Sequence, residues 1–252
     1  DYQISDGVEA SFHAIPALIN EYPEETEDYV SIMVLALFDE TPIGQYKRIC
    51  DYVIESIHQS KLWEQNSKVA QSILFGYIKL RPTYKDIIAQ KRKEIGWGRI
   101  SKSSILEELE KTNADFTFEE ISFDINDISS LDIHDLEIVL QLIPSDTKDK
   151  IHLDIYEKSL PFLASHLLKD RRSYKDDSGG DSNIYSLRLR AFKRFAYFIL
   201  QRDKTEIDTF LKPFIDSFSS TEETASFIEK FVSAEDYLNN HEQFWYIWNS
   251  LY

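Results

Sequence analysis

Six histidines (His13, His58, His134, His152, His166 and His241) and a single cysteine, Cys50, are the side chains best equipped to hold a metal or attack a substrate. Their spacing assembles no recognisable site. No pair of histidines stands in the HExxH spacing that puts two imidazoles on one helix face, and one cysteine cannot build a thiolate zinc centre. His134, with Asp135 beside it, and His152 fall on neighbouring expected helices and could approach one another; histidines without ligand duty account for them better. The chain has no GxxxxGK[ST] loop and no GxGxxG turn to cradle a phosphate, and no GxSxG elbow for a serine hydrolase. Asp176 to Asn183 (DDSGGDSN) resembles a calcium loop in composition only, because the twelfth position from Asp176 is Leu187, where an EF-hand needs a bidentate Glu. Paired carboxylates are abundant, as chance dictates in so acidic a chain. No catalytic, cofactor-binding or metal-binding residue is therefore assigned, and the expectation is a protein that is not an enzyme in this segment.

What the chain offers in place of a site is a succession of amphipathic helices. Ile207, Phe210, Leu211, Phe214, Ile215 and Phe218 form one apolar stripe at helical spacing. Further helices are expected near Val8 to Asn20 and, opening with Pro23 in its first turn, one that carries Tyr29 to Phe38. Others follow through Tyr46, Ile49, Val53 and Ile57, from Ser67 to Leu80, and from Thr83 to Glu94. Gly96-Trp97-Gly98 interrupts the pattern. Ser104 with Glu107 reads as a capping box opening a helix through Leu106 and Leu109. The alternation of Ile121, Phe123 and Ile125 has no partner strand, so Phe116 to Asp132 reads as loop or short helical turns. A helix over Asp135 to Ile143 stops at Pro144, and Leu153, Tyr156, Leu160, Leu163 and Leu167 make the next stripe. Asp176 to Asn183 is the one linker, polar and glycine-containing. Helices over Leu187 to Gln201, Glu206 to Phe218 and Glu222 to Phe231 come next; Ser220 with Glu223 makes a second capping box, and Ser233 caps the helix carrying Tyr237 and Leu238.

This pattern predicts an all-α chain, an α-solenoid or HEAT-like array of antiparallel helix pairs. Proline embedded in apolar helix at Pro16, Pro161 and Pro213 would bend helices to follow a curved stack. The expected organisation is one elongated array over 1–252, with a flexible linker near 173–184 and a sub-boundary near 95–103. The longest apolar run, Ile32 to Phe38, is far short of the ~20 residues of a membrane span. A lone cysteine permits no intrachain disulfide and fits the reducing cytoplasm, and Cys50 reads as a small buried hydrophobe. With no initial Met and a helical Phe244–Tyr252 segment that reads as cut in mid-course, the chain is expected to be a piece of a longer protein.

Net charge is −16 and unevenly spread. No Lys or Arg precedes Lys47, and none lies between Lys111 and Lys148; positive charge gathers over Arg81 to Lys102 and Lys169 to Arg194. So acidic a body repels duplex nucleic acid unless a basic face is well separated. Trp97, presented between two glycines with Arg92, Lys93 and Arg99 as neighbours, is the candidate partner-binding group, since Trp and Arg dominate interface hot spots. Phe244, Trp245 and Trp248 crowd a segment too aromatic to be solvated, and are expected to pack on a continuation of the chain.

The run from Arg190 to Phe218 (RAFKRFAYFILQRDKTEIDTFLKPFIDSF), with Ala234 to Leu238 (AEDYL), Phe244 to Asn249 (FWYIWN) and Leu136 to Pro144 (LEIVLQLIP), resembles the C-terminal helical region of large bacterial ATP-binding proteins, the Avs-type antiviral STAND NTPases and their relatives. The likeness lies mainly in 136–252 and consists of helix-packing residues. It implies a helical sensor that recognises a foreign protein by shape, possession of no nucleotide site of its own, and oligomerisation through the parent protein. A phage protein would be the partner, and no family binding residue transfers to a position here. The rival expectation is a nucleic-acid-associated helical module using the Lys169–Arg194 stretch, or a general protein-interaction scaffold.

Overall fold

The computed structural model describes residues 2–43, 47–96, 100–113, 117–118, 121–144, 147–159 and 205. They are mainly helical and fall into two units, Asp1–Leu131 and Asp132–Tyr252. The expected linker, the helices after 160 and their capping residues Ser220 and Ser233 lie outside the described residues.

In the first unit α1 (Tyr2–Glu21) leads through a short 3-10 turn (Pro23–Glu25) into α2 (Thr26–Leu37). Pro16 sits inside α1, where its missing N–H strips the Phe12 carbonyl of its helical partner. The fully buried Ser56 hydroxyl supplies the substitute, donating to that carbonyl at 2.8 Å from the facing helix. One proline in the sequence thus specifies one hydrogen bond between two helices.

Strands β1 (Pro42–Ile43) and β2 (Lys47–Arg48) pair antiparallel in the register Pro42 to Arg48 and Ile43 to Lys47. Helix α3 (Ile49–Gln59) begins only after them, so the helix expected through Tyr46 is shorter than its stripe suggested. Asp51 sets the start: its Oδ2 accepts the Arg48 N–H at 2.8 Å while Oδ1 pairs with the Arg48 guanidinium at 2.7 Å. Cys50 is buried, as its sequence surroundings implied. The short α4 (Leu62–Gln65), unforeseen from periodicity, follows Lys61, which takes the left-handed conformation at φ 53°.

The two helices expected on either side of Pro82 are one helix, α5 (Ser67–Ile95). A proline inside a helix costs about 3 kcal/mol, and burial on both sides offsets it, from Val69 through Leu80 and Arg81 to Ile87. Asn66 caps the start by accepting the Val69 N–H, and Gly96 at φ 62° ends the helix in a conformation glycine adopts without strain. Helix α6 (Lys102–Thr112) starts at Ser101 rather than Ser104, so Ser104 and Glu107 lie inside it. Helix α5 packs against α2, α4, α6 and the 3-10 turn Ile125–Ser130, and that turn replaces any strand after Ile121. The Gly96 break therefore lies inside the first unit.

In the second unit α7 (Ile133–Leu142) opens on a reciprocal cap: Asp132 Oδ1 accepts the N–H groups of His134 and Asp135 at 2.9 and 3.1 Å, and Asp135 Oδ2 accepts that of Asp132 at 3.2 Å. In the helical segment 150–159 the buried face is His152, Ile155, Tyr156 and Ser159, with Leu153 only half-buried. The stripe read from Leu153 and Tyr156 is thus rotated, because two polar side chains share the core. Ser159 donates to the Ile155 carbonyl at 2.7 Å, and His152 Nδ1 shares a hydrogen bond with Thr147 Oγ1 at 2.8 Å.

Burial holds the His152 imidazole below its ordinary value of 6.5, with the Asp149 carboxylate opposing the shift. The native state therefore prefers the neutral ring, and as pH falls below about 6.5 the unfolded chain takes up the proton first. Stability from this group is present above that pH and lost below it. His152→Gln should remove that share of the decline in melting temperature between about pH 7 and 5. Parallel curves for both proteins would contradict the assignment.

Candidate partner-binding cleft

Among the described residues, the first unit carries a cleft of about 370 Å³. Its walls follow from three helix faces. Val8 and Phe12, one turn apart on α1, form one wall; Leu35 and Ala36 at the end of α2 form the second; Ile105 and Leu106 of α6 form the third. Ile49 and Tyr84 also line it, and Asp39 is the only charged group among the described residues of the lining. Each helix buries most of its apolar stripe in the core and leaves its edge to the cleft: Phe12, Leu35 and Leu106 are half-buried, whereas Ile105 is buried. Apolar surface left in a concave site is what a ligand or partner side chain fills.

The two walls built by α1 and α2 are acidic. Helices α1 and α2 and their connection carry no Lys or Arg, but do carry Asp6, Glu9, Glu21, Glu24, Glu25, Glu27 and Asp28. Arg81, one turn before Tyr84 on α5, is buried and engaged with the Phe38 carbonyl and Glu40. An apolar slot in a negative field suits a partner that is apolar on one face and basic around it.

Of the residues singled out in the sequence, Arg92 and Lys93 stand exposed in the last turn of α5, where their charge complements the helix dipole. Trp97, Arg99, Phe244, Trp245 and Trp248 lie outside the described residues, as does the Lys169–Arg194 stretch. Among the described residues, the ligating side chains that share one place are Glu9, His13 and Glu55, and neither His134 nor His152 belongs to that group. The cleft itself escaped sequence reading because its lining comes from five helices and one loop residue, each contributing the margin of a stripe already assigned to the core. No helix among the described residues is long and apolar enough to cross a membrane. Comparison of the chain with protein-family models and with curated proteins finds no match.

Proposed function

We propose that this chain is a non-enzymatic, cytoplasmic protein-binding segment that receives a basic amphipathic helix of its partner in the cleft between α1, α2 and α6. The observation that carries this reading is the apolar lining set in a field without Lys or Arg on its two main walls. A helix laid into such a groove is read through apolar anchors at helical spacing, and basic residues beside them would meet the acidic α1 and α2. Trp97 and Arg99, with Arg92 and Lys93, are proposed as a second set of anchors, and Phe244, Trp245 and Trp248 as packing on a continuation of the chain. The likeness of 136–252 to the STAND NTPases supports a more specific version: a solenoid-like sensor end of an antiviral ATPase, with a phage protein as partner. A phosphate-binding loop upstream in the parent gene product would support that version.

The test uses two labelled synthetic helices, one of Leu and Lys heptads and one of Leu and Glu heptads, titrated into the whole chain by fluorescence anisotropy. Only the basic helix is expected to bind, and Leu106→Glu should weaken it tenfold or more, a loss of ~1.4 kcal/mol. The substitution adds negative charge, so attraction to the acidic surface alone would be unchanged or strengthened by it. That result would sink the cleft reading. Recovery of nucleic acid with steep salt dependence would favour the rival module built on Lys169–Arg194.

A further inference from the structure

Glu9 and His13 stand one turn apart on α1, at the spacing that brings two side chains together on a helix surface. Helix α1 packs against α3, which carries Glu55. One ligand atom from each of the three lies within 4.8 Å of the others. His13 Nε2 is 3.5 Å from Glu9 Oε1, and this ring nitrogen is buried without a hydrogen-bond partner. A buried imidazole nitrogen without a hydrogen-bond partner, beside two carboxylates, has the composition of a ligand set. We propose that Glu9, His13 and Glu55 form a binding site for a divalent transition metal, with zinc the best-fitting ion and water completing its shell.

The chemistry favours that class. One imidazole with two carboxylate oxygens suits zinc and its neighbours better than calcium, which takes six to eight oxygens. Metal–ligand bonds of about 2.0–2.2 Å put ligand atoms roughly 3.4 Å apart in a tetrahedron, so the three must draw in by about 1 Å. Their exposure allows it: the side chains of Glu9, His13 and Glu55 are 38%, 25% and 34% accessible, and each can turn about its own torsions.

The site already attracts a cation. Lys47 Nζ donates to Glu55 Oε2 at 2.8 Å and lies over the Tyr52 ring. Lys47 is 44% accessible and can swing into solvent, leaving both carboxylates to the metal. Because α1 also supplies Val8 and Phe12 to the cleft, a metal joining α1 to α3 would stiffen one of its walls. The metal site stands on its own residues, whatever occupies the cleft.

Zinc chloride titrated by calorimetry into the chelator-treated whole chain should reveal one tight equivalent. His13→Ala and Glu55→Gln should each weaken it tenfold or more, and Lys47→Gln should tighten it by removing the competing ammonium. His58→Ala should leave it unchanged. X-ray absorption of the zinc-loaded wild-type protein, which depends on no variant folding, should reveal one imidazole in an otherwise oxygen shell. Equal binding by wild type and His13→Ala, an all-oxygen shell, or the lack of a tight equivalent would each overturn the proposal, the first two marking zinc scattered on an acidic surface.

Discussion

Arg81→Ala is expected to destabilise the first unit by about 3–5 kcal/mol, because it breaks a buried charge network from its centre. Arg81 is 5% exposed; one guanidinium nitrogen donates to the Phe38 carbonyl at 3.1 Å and another pairs with Glu40. The guanidinium carbon lies 5.8, 5.9 and 5.7 Å from the ring centroids of Phe38, Tyr77 and Tyr84, within the range of cation–π attraction. Alanine would leave the carbonyl unsatisfied, Glu40 without this cation and three aromatic faces around a void. Arg81→Met retains most of the volume and the apolar stem, and Glu40 is accessible enough to turn to water, so about half the loss should return. Urea denaturation of the three proteins measures both steps. A loss below about 1 kcal/mol for alanine would mean that the group behaves as an ordinary surface ion pair.

Leu74→Ala should cost about 2–5 kcal/mol, whereas Ile32→Ala should cost less than about 0.5 kcal/mol. Both remove the same kind of apolar mass. Leu74 is wholly buried near the middle of the first half of α5, the helix that packs against four other elements. Ile32 is 48% exposed on α2, with Met33 and Val34 beside it turned into the core. A cavity at Leu74 cannot collapse without moving several helices, while truncation at Ile32 leaves only water behind. Equal effects in denaturant would mean that α2 or α5 is rotated about its axis from the arrangement described.

Gly76 shows why α5 approaches its neighbours so closely. A Cβ built there would come 2.8 Å from Phe118 Cε1 and 3.1 Å from Val34 Cγ2. The absent side chain lets the Phe118 ring settle against the helix backbone. The helical pattern around residue 76 is visible in sequence, but the need for glycine is not, since Phe118 lies far along the chain.

Local order was readable from the residues alone. Apolar spacing marked α1, α2, α5, α6 and α7, and Gly96 and Pro144 marked ends where backbone chemistry forbids easy continuation. These features are written within a few residues of themselves, so no knowledge of neighbours is needed to find them. Pro82 was misread for the complementary reason: its cost is local, whereas the burial that outweighs it comes from α2, α4 and α6. The rotation of segment 150–159 escaped because His152 and Ser159 look solvent-seeking until Thr147 and the Ile155 carbonyl are set beside them. The Glu9–His13 spacing was open to inspection as an i,i+4 pair, but only the packing of α1 on α3 adds Glu55, and only that same packing joins Ser56 to the carbonyl freed by Pro16. Helix periodicity is set by hydrogen bonds that close within one turn; sites and clefts depend on how far each helix is rotated against the next, and that angle is settled by the whole core.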